Sequence, residues 1–391
     1  MISINNLKES CSNIFMKNLL VMTPGPTEIH EDVLNAMAVQ GTNPDLDLAF
    51  YEKYMEVVNK FKQIVKTNNT AYILCGEGIL GLEAACSSMI EPGDRVLCIA
   101  NGIFGEGFAD FAKMFGGDVV VYKGNSNTGI DVNDLAKFLE NDSNFKLATL
   151  VHCETPSGIT NPIKEICRLL AGRKILSVVD AVASMGGEYI DTDQWNIDIL
   201  LGGSQKCFSA PVGLSPLSVS DKALDVIENR KSPIIGYYNN LNVWKTWYED
   251  KWFPYTQPIN NIMAFDKALD RCIEKDFVSI HKKYADAVRQ AFIKGGFELF
   301  PKSHFSNTVT AVNLPGGIKF KTLFDDLKSE GVLIGGGFGF LKDKIFRIGH
   351  MGENCNYEKF EILFKAMDKV FIQNKIKLQS SILKEFNLSF Q

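Results

Sequence analysis

The sequence predicts an α/β fold: a large domain on a mostly parallel β-sheet, followed by a smaller α+β domain. Three observations carry this. Short apolar runs alternate with helix-length segments through the first two thirds of the chain, the pattern of β-α-β crossovers. The runs are almost continuously apolar, as strands buried on both faces must be. After residue 260 the texture changes to long amphipathic helices with a few short strands between them. With 391 residues, 46% of them hydrophobic, the chain has enough apolar material for a large domain and a second one.

Taken in order, Met1–Asn18 is polar with scattered charges and has no apolar core of the kind a signal peptide carries. Ala71–Cys75 reads as a strand, Gly76–Gly78 as a turn and Ile79–Ile90 as a helix. Arg95–Ala100 is a second strand, followed by a helical pattern over Phe104–Phe115. Strands at Val119–Tyr122, Leu147–His152, Ile175–Asp180 and Ile197–Gly202 follow, with a helix over Pro162–Leu170. Ile262–Ile280 and Lys282–Ile293 read as long helices, so a helix and not a loose linker joins the two domains. The second domain has strands at Thr308–Asn313 and Ile345–Ile348 and helices at Phe320–Glu330 and Tyr357–Ile372. Gly335-Gly336-Gly337 reads as a tight turn between strands, Trp244, Trp247 and Trp252 as core and dimer packing, and Leu378–Gln391 as a peripheral tail. The expected divisions are 1–20 (N-terminal segment), 21–265 (large domain), 266–375 (small domain) and 376–391 (tail).

Charge and cysteine content narrow the function. A net charge of −5 lacks the basic excess of a nucleic-acid binder. No apolar run reaches the ~20 residues of a membrane span. The nine cysteines contain no C-x-x-C pair and several lie in apolar runs, which predicts reduced thiols in a cytoplasmic protein. No metal site is expected.

Open parallel sheets bind ligands beyond the carboxyl ends of their strands, and four features fall there or face it. Gly76-Glu77-Gly78-Ile79-Leu80-Gly81 follows a strand and opens a helix, so it can cradle a phosphate on backbone N–H groups. Asp180 ends an apolar strand, and a carboxylate so placed needs a cationic partner such as a protonated pyridine nitrogen. Lys206 lies in the small, polar stretch Gly202–Cys207, where desolvation would make its amine nucleophilic toward an aldehyde. Arg347 sits within the apolar Phe346-Arg347-Ile348, and its planar fork suits a carboxylate. Alone, each has a bland reading: a structural turn, a helix cap, an exposed lysine or an interdomain salt bridge. Together they are the set that pyridoxal 5'-phosphate (PLP) needs, with its one phosphate, one ring nitrogen and one aldehyde.

With these residues in view, the chain resembles the class V aminotransferases of PLP fold type I, in the alanine–glyoxylate/serine–pyruvate group. The resemblance runs from Val21 to Ile372 and rests on Thr23-Pro24-Gly25-Pro26-Thr27, Gly76–Ala85, Asn101–Gly105, His152–Pro162, Val179–Gly187, Gly203–Lys206 and Arg347-Ile348-Gly349. It implies a seven-stranded, mostly parallel sheet. It makes Lys206 the Schiff-base lysine and Asp180 the partner of the ring nitrogen. Phe104 would stack on the ring, Val182 would pack on its other face, and Thr155 would bond near the ring hydroxyl. Glu77, Gly78, Ile79 and Gln205 would surround the phosphate, and Thr256 would reach the phosphate of a neighbouring subunit. Gly25 and Arg347 would face the substrate. The implied partners are a small-molecule amino donor and a 2-oxo acid acceptor, and the implied assembly is a homodimer with shared active sites.

Within the class, His152-Cys153-Glu154-Thr155-Pro156-Ser157-Gly158 also resembles the 2-aminoethylphosphonate–pyruvate and pyridoxamine–pyruvate transaminases. Cys355 raises a desulfurase reading, against which stands Gln205 where those enzymes have His. Gly76-x-Gly78-x-x-Gly81 permits a nicotinamide oxidoreductase, but no acid ends the next strand to hold a ribose. A non-catalytic binding module would not need Lys206, Asp180 and Arg347 together.

Overall fold

The computed structural model describes residues 19–390. The N-terminal segment otherwise lies outside the described residues. The elements, in chain order, begin with β1 (Leu20–Val21), α1 (Glu31–Met37), α2 (Leu48–Val65), β2 (Thr70–Cys75) and α3 (Gly78–Met89). Next come β3 (Arg95–Ala100), α4 (Ile103–Met114), β4 (Asp118–Lys123), α5 (Val132–Asn141) and β5 (Leu147–Val151). Then follow the short β6 (Cys153–Glu154) and β7 (Ile159–Thr160), α6 (Ile163–Ala171), β8 (Leu176–Asp180), β9 (Ile199–Leu201), β10 (Leu214–Val219) and α7 (Asp221–Glu228). The remainder comprises α8 (Ile259–Glu274), α9 (Phe277–Gly295), β11 (Val309–Asn313), α10 (Phe320–Ser329), β12 (Val332–Leu333), β13 (Gly335–Gly336), β14 (Ile345–Gly349), α11 (Tyr357–Gln373) and α12 (Ile382–Phe390).

The large sheet has seven strands in the order β2-β10-β9-β8-β5-β3-β4. All its pairings are parallel except those of β10 with β2 and β9. The periodicity of the sequence shows six of these strands and misses β10, whose Leu-Ser-Pro-Leu-Ser-Val carries a proline in the middle of a sheet. The chain tolerates it because the Pro216 carbonyl accepts from Gly202 N–H, just beyond the end of β9. The donor that proline lacks would point to the same side, toward the Gly202 carbonyl, which accepts from Ser215 Oγ at 3.0 Å instead.

The second sheet, β11-β14-β13, is antiparallel. It has its own core, in which Phe292, Phe346, Phe360 and Phe364 are fully buried. Four expectations change here. The junction between the long helices falls at Lys275–Asp276, not near 281; Asp276 takes φ 46° and its side chain caps Ser279. Gly335–Gly336 is a strand, not a turn, because β13 pairs with β14 through Gly335↔Arg347 and Gly336↔Phe346. Leu20–Val21 pairs with β12 and Met22 lies in the small unit's core, so the N-terminal strand belongs with that unit. The closing segment is not a peripheral tail: α12 buries Ile382 and Phe386 completely. Trp244 and Trp247 are core residues, whereas Trp252 is exposed. Among the described residues no helix is long and apolar enough to cross a membrane.

Candidate active site

The carboxyl ends of β2, β3, β5, β8 and β9 open onto one pocket. Glu77, Gly78 and Ile79 enter it from the start of α3, Phe104 from the start of α4, and Cys153 and Thr155 from the segment after β5. Asp180 and Val182 come from the end of β8, and Lys206 from the loop after β9. Leu82, Phe111 and Ala183 complete the apolar wall. Residues separated by about 130 positions in the chain therefore converge because parallel strands all end on the same edge.

Lys206 is largely withdrawn from solvent. Burial lowers the pKa of its amine, and the charge of Arg347 pushes the same way. Its Nζ donates to the Pro24 carbonyl at 2.7 Å. Gly25 is a glycine of necessity: its φ is +88°, and a Cβ there would come within 2.7 Å of the lysine Nζ. Thr27 fastens the lysine loop, its Oγ1 donating to the Lys206 carbonyl at 3.0 Å.

Asp180 is buried, and burial pushes its carboxyl up to about 6, opposed by the Val182 N–H and by the Lys206 charge. Its Oδ1 accepts from Val182 N–H at 2.7 Å. A cation brought beside this carboxyl would restore it to the ionised form. Phe104, 37% exposed, presents an aromatic face to the pocket. Gly78 lets α3 approach Val182, whose Cγ2 would lie 2.7 Å from any Cβ there.

The phosphate end differs from a bare helix N-terminus. Glu77 is the N-cap of α3, and its Oε2 accepts from Ile79 N–H at 2.9 Å. Its other oxygen accepts from the Gln205 side chain. Gln205 is thereby tied to Glu77 and does not itself line the pocket. A carboxylate thus already occupies part of the anion site that the sequence marks.

Arg347 is 9% exposed. Its Nε donates to the Gly336 carbonyl at 2.8 Å and its Nη1 to the Thr155 carbonyl at 3.3 Å. Among the described residues no carboxylate pairs with it, and burial lowers its pKa to about 10. A buried guanidinium bonded only to carbonyls has capacity for an anionic ligand. Thr256 is not part of this pocket: it is exposed and donates to Asp45 Oδ2 at 3.0 Å. Cys355 donates to the His350 carbonyl at 3.3 Å and burial pushes its thiol up, so it is no pocket nucleophile.

Glu154 is the residue that sequence reasoning passed over. It is fully buried beside the pocket and accepts from Gly105 N–H at 2.6 Å and Phe104 N–H at 3.3 Å. It caps α4 from another strand, a task the local N-cap Gly102 cannot do with a side chain. Burial raises its carboxyl to about 7. Its one sequence signal is an acid between the apolar run Leu147–Cys153 and Thr-Pro-Ser-Gly.

A desolvated lysine and a buried acid thus share one pocket at the sheet edge, with an arginine nearby that has no carboxylate partner among the described residues. The chain belongs to the class V aminotransferases: the family model "Aminotransferase class-V" matches residues 24–322. The chain is 32% identical over 341 residues to the pyridoxamine–pyruvate transaminase of Mesorhizobium japonicum, covering 85% of this chain and 86% of that protein. It is 30% identical over 356 residues to the serine–glyoxylate aminotransferase of Methylorubrum extorquens, covering 85% and 86%. The crystal structure of ureidoglycine–glyoxylate aminotransferase from Bacillus subtilis superposes with a TM-score of 0.92 at 29% identity, covering 96% of this chain and 98% of that one. The protein is therefore a PLP-dependent aminotransferase, which sets aside the nicotinamide and non-catalytic readings.

Proposed function

We propose that the protein transfers the amino group of a small amino acid, alanine or serine, to glyoxylate or pyruvate by a ping-pong mechanism. The observation that carries this is the pairing of desolvated Lys206 and buried Asp180 in one pocket, with Arg347 unpaired beside it. The residues suit the ring: Asp180 for its nitrogen, Phe104 and Val182 for its faces, Thr155 near its hydroxyl. When bound, PLP supplies an electrophilic aldehyde and an electron sink.

Lys206 is the residue that would hold the cofactor through its aldehyde. The Lys206 amine, already disfavoured as a cation by burial, would serve as the base that moves the proton of the donor's α-carbon. Asp180, as carboxylate, holds the ring nitrogen protonated by charge and hydrogen bond. Arg347 fixes the α-carboxylate of the donor and, in the second half, of the acceptor. Glyoxylate and pyruvate appear in the names of the relatives above, which supports this acceptor class.

A second reading, pyridoxamine–pyruvate transamination, is favoured by Glu77. Its carboxylate stands at the α3 N-terminus where a phosphate would otherwise sit, and two anions there repel. An unphosphorylated vitamer avoids that conflict. A phosphonate donor has less support, because Lys206 is the sole cation in the pocket lining and Arg347 lies beside it.

The same reading has two chains joined as a homodimer. The exposed apolar side chains Ile235, Tyr237, Tyr238, Trp252, Leu46 and Leu48 support this. Thr256 lies in this region, bonded to Asp45, in keeping with its reaching a neighbour's phosphate. Free thiols throughout the described residues support a cytoplasmic setting.

The test is borohydride reduction of the purified yellow protein followed by peptide mapping. The cofactor should be fixed at Lys206, and Lys206→Ala should bind PLP weakly and lose turnover. Labelling at another lysine sinks the assignment. A screen of alanine, serine and pyridoxamine against glyoxylate and pyruvate then separates the two readings.

A further inference from the structure

The segment between β13 and β14 joins two parts of the site that arise far apart in the chain. Gly336 holds Arg347 through its carbonyl. Two residues on, the Phe338 ring centre lies 5.3 Å from the Arg347 guanidinium carbon. The same ring meets Phe104 edge-on, 5.8 Å between centres at 63°. Phe338 is nevertheless 37% exposed, so one side of it faces open space.

Its position is enforced by its neighbours. A Cβ on Gly337 would lie 2.1 Å from the Leu341 carbonyl oxygen. Gly339 takes φ +56°, and a Cβ there would meet Ile103 Cδ1 at 2.9 Å. The loop is therefore seated on the start of α4, beside Phe104, and has little room to slide.

We propose that Phe338 is a specificity-determining residue that walls the subsite for the substrate's side chain. It limits the enzyme to substrates with one carboxylate and a small, uncharged side chain. This rests on the reading of Arg347 as carboxylate anchor and Lys206 as the site of amino transfer. The reacting carbon must then lie between the ring that Phe104 covers and the carboxylate that Arg347 holds. A side chain that touches both borders whatever else that carbon carries. Phe338 there removes volume and offers no counter-charge, so burying a second carboxylate against it is costly. The charged groups of the adjoining pocket are Glu77, Asp180 and Lys206; two repel an anion and the third is engaged in the chemistry.

The test uses the acceptor half-reaction, which both functional readings share. Enzyme loaded with pyridoxamine phosphate or, in a parallel arm, supplied with pyridoxamine is mixed with glyoxylate, pyruvate, 4-methyl-2-oxopentanoate or oxaloacetate, and the return of the aldehyde-form absorbance is followed. Wild type should favour glyoxylate and pyruvate. Phe338→Ala should raise the rate with 4-methyl-2-oxopentanoate relative to pyruvate by about tenfold or more, the scale on which apolar pockets discriminate by size. Phe338→Trp should shift preference the other way, from pyruvate toward glyoxylate. A loosened loop would lower all rates together and could not give opposite shifts. If wild type turns over pyruvate but neither variant moves these ratios, Phe338 does not wall the subsite. If wild type reacts with no 2-oxo acid, the amino-transfer reading falls and takes this one with it.

Discussion

Lys206 and Asp180 are both pushed toward neutrality by burial, the amine downward and the carboxyl up to about 6. The Lys206 charge opposes the effect of burial on Asp180, and a cationic ring nitrogen beside that carboxyl would act in the same direction. In the sequence these two residues stood out only as part of a joint pattern with the phosphate cradle and Arg347, since alone each allowed a helix cap or an exposed lysine. Arg347 was legible in the same way. Gln205 and Glu77 were read as phosphate neighbours, but their mutual bond depends on side-chain directions that spacing does not encode. Asp180→Asn tests the residue-scale argument. Asparagine keeps the shape and an acceptor for Val182 N–H but brings no charge to the ring nitrogen. We expect PLP to stay bound through Lys206 while the donor half-reaction, followed by stopped-flow absorbance, slows by about two to three orders of magnitude, the usual cost of one electrostatic stabiliser. A rate near wild type would reduce Asp180 to a local cap.

Strands of the large sheet were legible because burial on both faces forces them to be apolar throughout. β10 was not, since Ser215, Pro216 and Ser218 interrupt that signal, and the Ser215 hydroxyl that serves the Gly202 carbonyl in place of a Pro216 N–H shows only in three dimensions. The α8–α9 break was misplaced because both sides are amphipathic and the marker, a left-handed Asp276, is a backbone feature. At this scale the cap of α4 gives the sharpest test. Glu154 accepts the first N–H groups of the helix that carries Phe104, yet burial raises its carboxyl from 4.5 to about 7. A carboxyl raised on folding binds its proton more tightly in the folded state. Its contribution to stability is therefore greatest below about pH 4.5 and is lost as pH rises toward about 7. Glu154→Gln removes that titration and keeps an acceptor for Gly105 N–H. Denaturant melts at pH 5 and pH 8 should show wild type losing ground to Glu154→Gln by on the order of 1–3 kcal/mol. No change between the two pH values would mean the helix N-terminus alone keeps the carboxylate ionised. The absorbance band of bound PLP should shift little in this variant, since the shorter of the two bonds to α4, from Gly105 N–H, keeps its acceptor and only the longer one from Phe104 N–H is lost.

Across the whole molecule, the small unit does more than supply Arg347. A run of aromatic contacts leads from α12 to the strand that holds this residue: Phe386 to Phe364 at 5.1 Å, Phe364 to Phe292 at 5.7 Å, and Phe292 to Phe346 at 5.6 Å. Phe346 precedes Arg347 on β14 and points to the opposite face. The closing segment looked peripheral in the sequence because it is short and follows a polar stretch, Gln373–Lys377. Its partners, Phe360 on α11 and Tyr284 on α9, reveal themselves only in three dimensions. Phe386→Ala separates the two views. A fully buried phenylalanine cut to alanine costs about 3–5 kcal/mol, so the thermal transition should fall well below that of wild type. The cofactor pocket is built by the large sheet, so the PLP band should persist at temperatures where the variant is still folded. Substrate KM should rise more than kcat falls, because it is the backing of β14 that loosens. A variant as stable as wild type would mean that the last helix rests on the molecule without supporting it, and that Arg347 is held by its bonds to Gly336 and Thr155 alone.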